Sequence, residues 1–316
     1  MEQYRPPQIY ISPHLETIIP ALFRRVKDVH YKRERINTDD GDFLDLDWLR
    51  TAKGSDHLII VSHGLEGDSH RPYIKGMARA FSKEGYDVIA WNFRGCSGEM
   101  NRKPRFYHSG ATEDLETVIV HARNLKRYSH ISLVGFSLGG NLTLKYLGER
   151  AMYPEIVSAV AFSVPLDLHA SCIKISRPQN WIYARRFLTN LKAKIRAKEQ
   201  AIPNSMDLEP LPSIKTLIQF DNTYTAPLHG YKDAVDYYTR CSSIFFLDGI
   251  NTPTLIINAK NDPFLSEECY PVSRLADHPY IKFKVPREGG HVGFTSFNSS
   301  GIFWSEQQAV HFVQNH

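Results

Sequence analysis

The stretch Gly135-Phe136-Ser137-Leu138-Gly139 fits the pattern G-x-S-x-G. It stands where the apolar run HISLVGF gives way to LGGNLTLKYLGER, whose apolar spacing is that of a helix. A serine at such a strand-to-helix turn holds its hydroxyl above the edge of a sheet, and small flanking residues let strand and helix close around it. The helix N-terminus behind it favours negative charge. This is the setting of an acyl-transfer nucleophile. A hydroxyl is a weak nucleophile alone and needs a base, which in turn needs a group to orient it. With this motif the chain order is serine, acid, histidine, the last two on loops after late strands. Asp262 in LIINAKNDPF and His291 in VPREGGHVGF meet both conditions. Gly289 and Gly290 are expected to give the imidazole room to reach Ser137. The rival acids are Asp248, which precedes its strand, and Asp277, which the pattern puts within a helix. A developing oxyanion requires two N–H donors. Leu138, directly after the serine, and Leu65, in the loop after HLIIVSHG, are the candidates.

These residues need a scaffold that brings distant loops to one edge. HLIIVSHG, YDVIAWNFRG, HISLVGF and IVSAVAFSVP read as buried strands, and PTLIINAKND and YIKFKVPREGGH as two later ones. Between them, YIKGMARAFSKEG carries Ile74, Met77, Ala78 and Phe81 at helical spacing. TEDLETVIVHARNL does the same with Leu115, Val118, Ile119 and Ala122, and Thr112 is its expected N-cap. Strands alternating with helices imply a mainly parallel sheet covered on both faces. VKDVHYKRERIN and DFLDLDWLR, around the turn-like TDDG, read as an antiparallel hairpin on its edge.

The rhythm breaks between Pro165 and Ile250, where prolines and helix-forming sequence replace strands. Residues 165–250 are therefore expected to form a helical cap inserted into a core made of residues 1–164 and 251–316. Within it, YARRFLTNLKAKIRAKEQ sets Ala184, Leu188, Leu191 and Ile195 on one face. Its cations, Arg185, Arg186, Lys192, Lys194, Arg196 and Lys198, fall largely elsewhere. They are read as a solvated surface, with peripheral docking on anionic lipid as the sharper alternative.

Composition narrows the class. Among 316 residues, 42% are hydrophobic and 23% charged, which fits an ordinary globular chain. A net charge of +4 is too small and too dispersed for a nucleic-acid binder. Four scattered cysteines without a C-x-x-C pair fit a reducing compartment. The N-terminal sequence lacks the pattern of a signal peptide, and no apolar run reaches the roughly 20 residues of a membrane span, so a cytoplasmic protein is expected. No metal is expected, because H-E-x-x-H and clustered ligand sets are missing. No dinucleotide cofactor is expected either, for want of G-x-G-x-x-G. His63 and Asp68 spell H-x-x-x-x-D, but His63 ends a strand and is read as shaping the turn beside Leu65. Cys96 has no histidine or acid placed to serve it, and Arg94 beside it is read as a brace for its loop.

Six stretches together carry a resemblance: SPHLETIIPALFRR, HGLEGDSHRPYIKGMARAF, NFRGCSGEMNRKPRFYHSGATEDL, GFSLGGNLTLKYLGE, NAKNDPF and GGHVGF. They resemble the YheT-like branch of the α/β-hydrolases, whose relatives include esterases, lipases and acyltransferases. The resemblance implies the α/β-hydrolase fold, with Ser137 as nucleophile, Asp262 as acid and His291 as base. Glu16 stands where glutamine is usual in that branch. Cleavage of small-molecule or lipid-like carboxylic esters through an acyl-enzyme is the leading expectation. Acyl transfer to an alcohol differs only in the second acceptor, and a ligand-binding protein with little turnover is the reading from another class.

Overall fold

The computed structural model describes residues 4–150 and 153–316, so the first three residues of the N-terminal stretch lie outside it. Eight strands make one sheet: β1 (Lys32–Asn37), β2 (Phe43–Leu49), β3 (His57–Ser62), β4 (Asp87–Asn92), β5 (His130–Phe136), β6 (Ile156–Phe162), β7 (Thr254–Ile257) and β8 (Ile281–Lys284). Their order is β1-β2-β4-β3-β5-β6-β7-β8. Every neighbouring pair from β4 to β8 is parallel. β2 runs antiparallel to both β1 and β4, so the hairpin forms the edge as expected. Gly41, at φ +78°, closes its turn by donating its N–H to Thr38 O, a conformation that glycine adopts without strain.

Successive side chains of a strand point to opposite faces, and here both faces are apolar. Leu58, Ile60, Ile89, Trp91 and Leu133 enter one core layer, packed by helices α3 (Thr112–Asn124) and α4 (Leu138–Glu149). Ile59, Val61, Val88, Ala90 and Val134 enter the other, with α2 (Pro72–Lys83) and the C-terminal helix Trp304–Gln314. The helices in chain order are α1 (Pro13–Phe23), α2 (Pro72–Lys83), α3 (Thr112–Asn124), α4 (Leu138–Glu149), α5 (Leu168–Ile175) and α6 (Trp181–Ala201). The faces read from α2 and α3 are fully buried. The cap of α3 differs from expectation: Ala111 holds the N-cap position, and Thr112 turns its hydroxyl to Glu149 instead.

Between β6 and β7 the described chain forms helices and turns and no strand. α6 is the longest of these helices, and it departs from its expected surface. Arg185, Arg186 and Arg196 are exposed, but Lys194 and Lys198, one turn apart, point inward. Lys198 is fully buried and donates to the carbonyls of Asn101 (3.0 Å) and Lys103 (2.6 Å). A residue at i and one at i+4 share a helix face, so two of the six cations belong to the packed side. The reason is composition beneath them: the backbone carbonyls of Asn101 and Lys103 and the Glu66 carboxylate supply acceptors that an apolar floor lacks. The solvent-facing cationic surface of α6 is correspondingly smaller. No helix among the described residues is long and apolar enough to cross a membrane.

Candidate active site

Ser137 lies between β5 and α4 with φ +52° and ψ −119°, a region that a residue with a side chain occupies only under constraint. The constraint comes from glycines. A Cβ on Gly135 would sit 2.5 Å from Gly139 O, and one on Gly139 would sit 2.4 Å from His63 O and 2.5 Å from Ser62 O. Backbone thus meets backbone where α4 crosses β3 and β5. Ser137 N–H donates to Phe162 O at 2.8 Å, tying the turn to β6.

β7 and β8 each end beside this turn and deliver the other two residues. The Asp262 carboxylate is buried; it accepts from Phe264 N–H at 2.8 Å and from His291 Nδ1–H at 2.8 and 3.1 Å. On the other side of the ring, Ser137 O–H donates to His291 Nε2 at 2.9 Å. The Phe264 ring packs against the imidazole, 4.0 Å between centroids. The three residues picked from chain order therefore form one line of hydrogen bonds. Neither rival acid joins it. Asp248 is exposed and pairs with Arg274 at 2.8 Å. Asp277 lies in the turn after the helix Val272–Leu275, not within a helix.

The glycines before His291 also make room for the neighbours of their loop. A Cβ on Gly290 would come within 2.8 Å of Glu16 and Thr17, and one on Gly289 within 2.4 Å of the Phe294 ring. Those neighbours hold the loop. Thr17 Oγ1 accepts from His291 N–H (2.9 Å), Ser163 Oγ from Val292 N–H (2.9 Å), and Glu16 Oε2 from Gly289 N–H (2.5 Å). Asn261 donates to Glu16 Oε1 (3.0 Å) and accepts from Gly290 N–H (3.0 Å), which links the acid loop to the base loop. Burial raises the Glu16 carboxyl above its ordinary range. Sequence reading assigned these residues no role. The available signal was a polar Glu-Thr pair inside the largely apolar stretch LETIIP of α1.

Leu65 and Leu138 face the same turn. Leu138 is the first residue of α4, so its N–H has no acceptor within the helix. Gly64 abuts the nucleophile, its Cβ direction ending 3.1 Å from Ser137 Cβ. His63 shapes this loop as expected. Burial pushes its imidazole down to about 3, so the ring is neutral. Nδ1–H donates to Gly64 O (2.8 Å) and Nε2 accepts from Phe93 N–H (3.1 Å), stitching the loop after β3 to that after β4. Arg94 braces the second loop by gripping Asp114 with both arms (2.7 and 2.8 Å) and Asp40 (2.8 Å). Burial pushes the Cys96 thiol up to about 11, so this sulfur is a poor nucleophile at neutral pH. Among the described residues no group of three or more histidine, cysteine or acidic side chains is placed to hold a metal ion.

Two cavities meet at Ser137, sharing Leu65, Phe187 and Phe264 in their walls. One runs under the 165–250 segment and is mainly apolar, with Leu168, Leu191, Ile195, Leu217, Phe220 and Leu228 among its lining. Its wall also holds Asp221, which accepts from Tyr238 and Thr225 hydroxyls at 2.6 Å each; burial raises that carboxyl to about 6. The other opens beside α1 and is lined by Ile18, Ala21, Arg71, Tyr73, Tyr183 and Arg186.

The chain has counterparts among known proteins. YheT of Escherichia coli (strain K12) is 37% identical over 297 residues, covering 92% of this chain and 87% of that protein. The mouse phospholipase ABHD3 is 30% identical, covering 88% of this chain and 70% of its own length. The Pyrococcus furiosus esterase Pf2001 superposes with a TM-score of 0.60 at 17% identity, covering 100% of this chain and 98% of that one; at that identity the likeness speaks for the fold. The family model for the alpha/beta hydrolase fold matches residues 57–296. With the strand order, the strained serine turn and this match in agreement, the chain belongs to the α/β-hydrolase family.

Proposed function

We propose that the protein hydrolyses carboxylic esters through a covalent acyl-serine. The observation that carries this reading is the unbroken path from Asp262 through His291 to Ser137 at the meeting point of the two cavities. Ser137 Oγ attacks the ester carbonyl while His291 Nε2 takes its proton, and Asp262 holds the ring with Nδ1–H toward itself. The tetrahedral oxyanion is received by Leu65 and Leu138 N–H groups, with the N-terminus of α4 behind them. His291 then returns the proton to the departing alcohol oxygen. Water, deprotonated by the same imidazole, releases the acid and restores the serine. Residues 165–250 act as a cap, and the apolar cavity beneath them suits the acyl chain. The cavity beside α1 suits the alcohol portion. It also gives an acceptor alcohol a place to stand, which keeps acyl transfer as the second reading.

Turnover of a panel of esters of graded acyl length, together with labelling by a fluorophosphonate probe, tests this proposal. Ser137→Ala is expected to abolish labelling and lower kcat on the order of 10⁴-fold or more, because the three residues act as a unit. A folded mutant that keeps a tenth of the activity would place the nucleophile elsewhere. Product analysis in water containing an added alcohol separates free acid from a new ester.

A further inference from the structure

Leu65 precedes a residue in an unusual state. Glu66 is not glycine, yet its φ is +54°, and its N–H, its carbonyl and its carboxylate Oε1 are all held. Its N–H donates to Tyr107 Oη at 3.0 Å, and its carbonyl accepts from Arg71 at 2.8 Å. Its carboxylate accepts from the Tyr107 hydroxyl (2.7 Å) and from Lys194 Nζ (2.7 Å). Lys194 arrives from α6, on the far side of the cavity. Its side chain is 12% exposed and that of Glu66 8%, so the pair is largely withdrawn from solvent. The ammonium also touches Cys96 Sγ at 3.2 Å and stands 4.9 Å from the centre of the Tyr107 ring.

A buried ion pair is a poor source of net stability, because desolvating two charges offsets their attraction. Its better use is to specify one geometry where neighbouring alternatives exist. The loop after β3 is such a place. A backbone at positive φ relaxes when its side chain is released, and relaxation at Glu66 turns the Leu65–Glu66 peptide and so shifts Leu65, whose own N–H lies in the next peptide, Gly64–Leu65. Oxyanion donors are effective only near their ideal position. We infer that the Lys194–Glu66 pair is a positioning device through which the cap helix sets the oxyanion donor of Leu65. Docking of the cap and assembly of the reactive site are then one event. The inference rests on the hydrolase reading above, since without an oxyanion there is nothing to position.

The expected consequence is unlike that of a packing contact. Lys194 also lines the apolar cavity, so a mere packing role would change the binding of long acyl chains and leave a short ester unaffected. The experiment measures kcat and KM of wild type, Lys194→Met, Lys194→Arg and Glu66→Gln on 4-nitrophenyl acetate and 4-nitrophenyl dodecanoate. Fluorophosphonate labelling to completion counts competent serines in each variant. Lys194→Met and Glu66→Gln are expected to lower kcat on the acetate by roughly 10- to 100-fold, part of what loss of a whole oxyanion donor costs, with labelling still complete. Lys194→Arg, which keeps charge and donors, is expected to recover most of that rate. Unchanged kcat on acetate, with only the dodecanoate KM raised, overturns the inference. If Lys194→Met fails to fold, the isosteric Glu66→Gln decides by the same criterion. A wild type with no Ser137-dependent turnover is a different failure: it removes the hydrolase reading itself, and this inference with it.

Discussion

Asp262 and Asp248 flank β7 in sequence, and the proposed chemistry needs only one of them. Asp262 follows the strand, is buried and bonds His291 Nδ1; Asp248 precedes it and faces solvent beside Arg274. Asp262→Asn is expected to lower kcat roughly 10⁴-fold, since an amide favours the wrong imidazole tautomer. Asp248→Asn is expected to leave kcat within about threefold of wild type, because an exposed ion pair is worth little. Steady-state kinetics on one soluble ester checks both, and reversal of the two results would assign the acid to the other loop. That Asp262 and not Asp248 lies beside His291 was legible in the sequence because strand order dictates which loop ends at the edge where Ser137 sits. The nearness of Ser137 and His291 was legible for the same reason. Glu16, Thr17, Asn261 and Ser163 were not. Each forms a hydrogen bond with a residue far away in the chain, and no spacing rule encodes such a partner.

At the scale of elements, regular patterns reported which face of a helix is buried but not what lies beneath it. The apolar stripe of α6 was readable, yet Lys194 and Lys198 looked like part of a wet surface. Their acceptors come from the loops after β3 and β4, which are more than ninety residues earlier in the chain. Lys198 offers a direct test. Burial pushes its ammonium down to about 8 from an ordinary 10.5; Asp42 opposes this shift, while Arg94 and Lys194 add to it. Below pH 8 the amine is charged in folded and unfolded chains alike, and the folded chain bears the full cost of burying it. Between about 8 and 10.5 the folded chain has lost this proton and the unfolded chain has not, so rising pH relieves the cost. Wild type is therefore expected to gain on Lys198→Met by on the order of 2 kcal/mol between pH 7 and pH 10. Urea unfolding at the two pH values measures the difference, and an unchanged gap would mean an amine that titrates normally. The same burial makes Lys194→Glu a poor probe of lipid docking. It sets a second carboxylate against Glu66, whereas Arg185, Arg186 and Arg196 are the cations that reach solvent.

Seen whole, the molecule is a sheet whose parallel strands all end at one edge, with a helical segment laid over that edge. β3, β5, β7 and β8 bring their following loops to Ser137 from positions between residue 63 and residue 291. A parallel sheet makes such convergence unavoidable, and that is why the core was readable from alternating strands and helices. The 165–250 segment has no comparable rule, since helices packed by side-chain shape can cross in many ways. What it does is create a wall. Leu228 belongs to that wall, half-buried between Phe220, Tyr224 and the cavity. If the cavity receives the acyl chain, a larger side chain there shortens the chain that fits without touching the reacting atoms. Leu228→Trp is expected to leave kcat/KM for an acetate ester near the wild-type value. For a dodecanoate ester it is expected to fall about tenfold or more, the worth of roughly two methylenes excluded from an apolar site at about 0.8 kcal/mol each. An equal fall for both esters would indicate a disturbed fold rather than a shortened pocket. An unchanged ratio would send the acyl chain to the other cavity, where Ile18 and Ala21 of α1 form the wall.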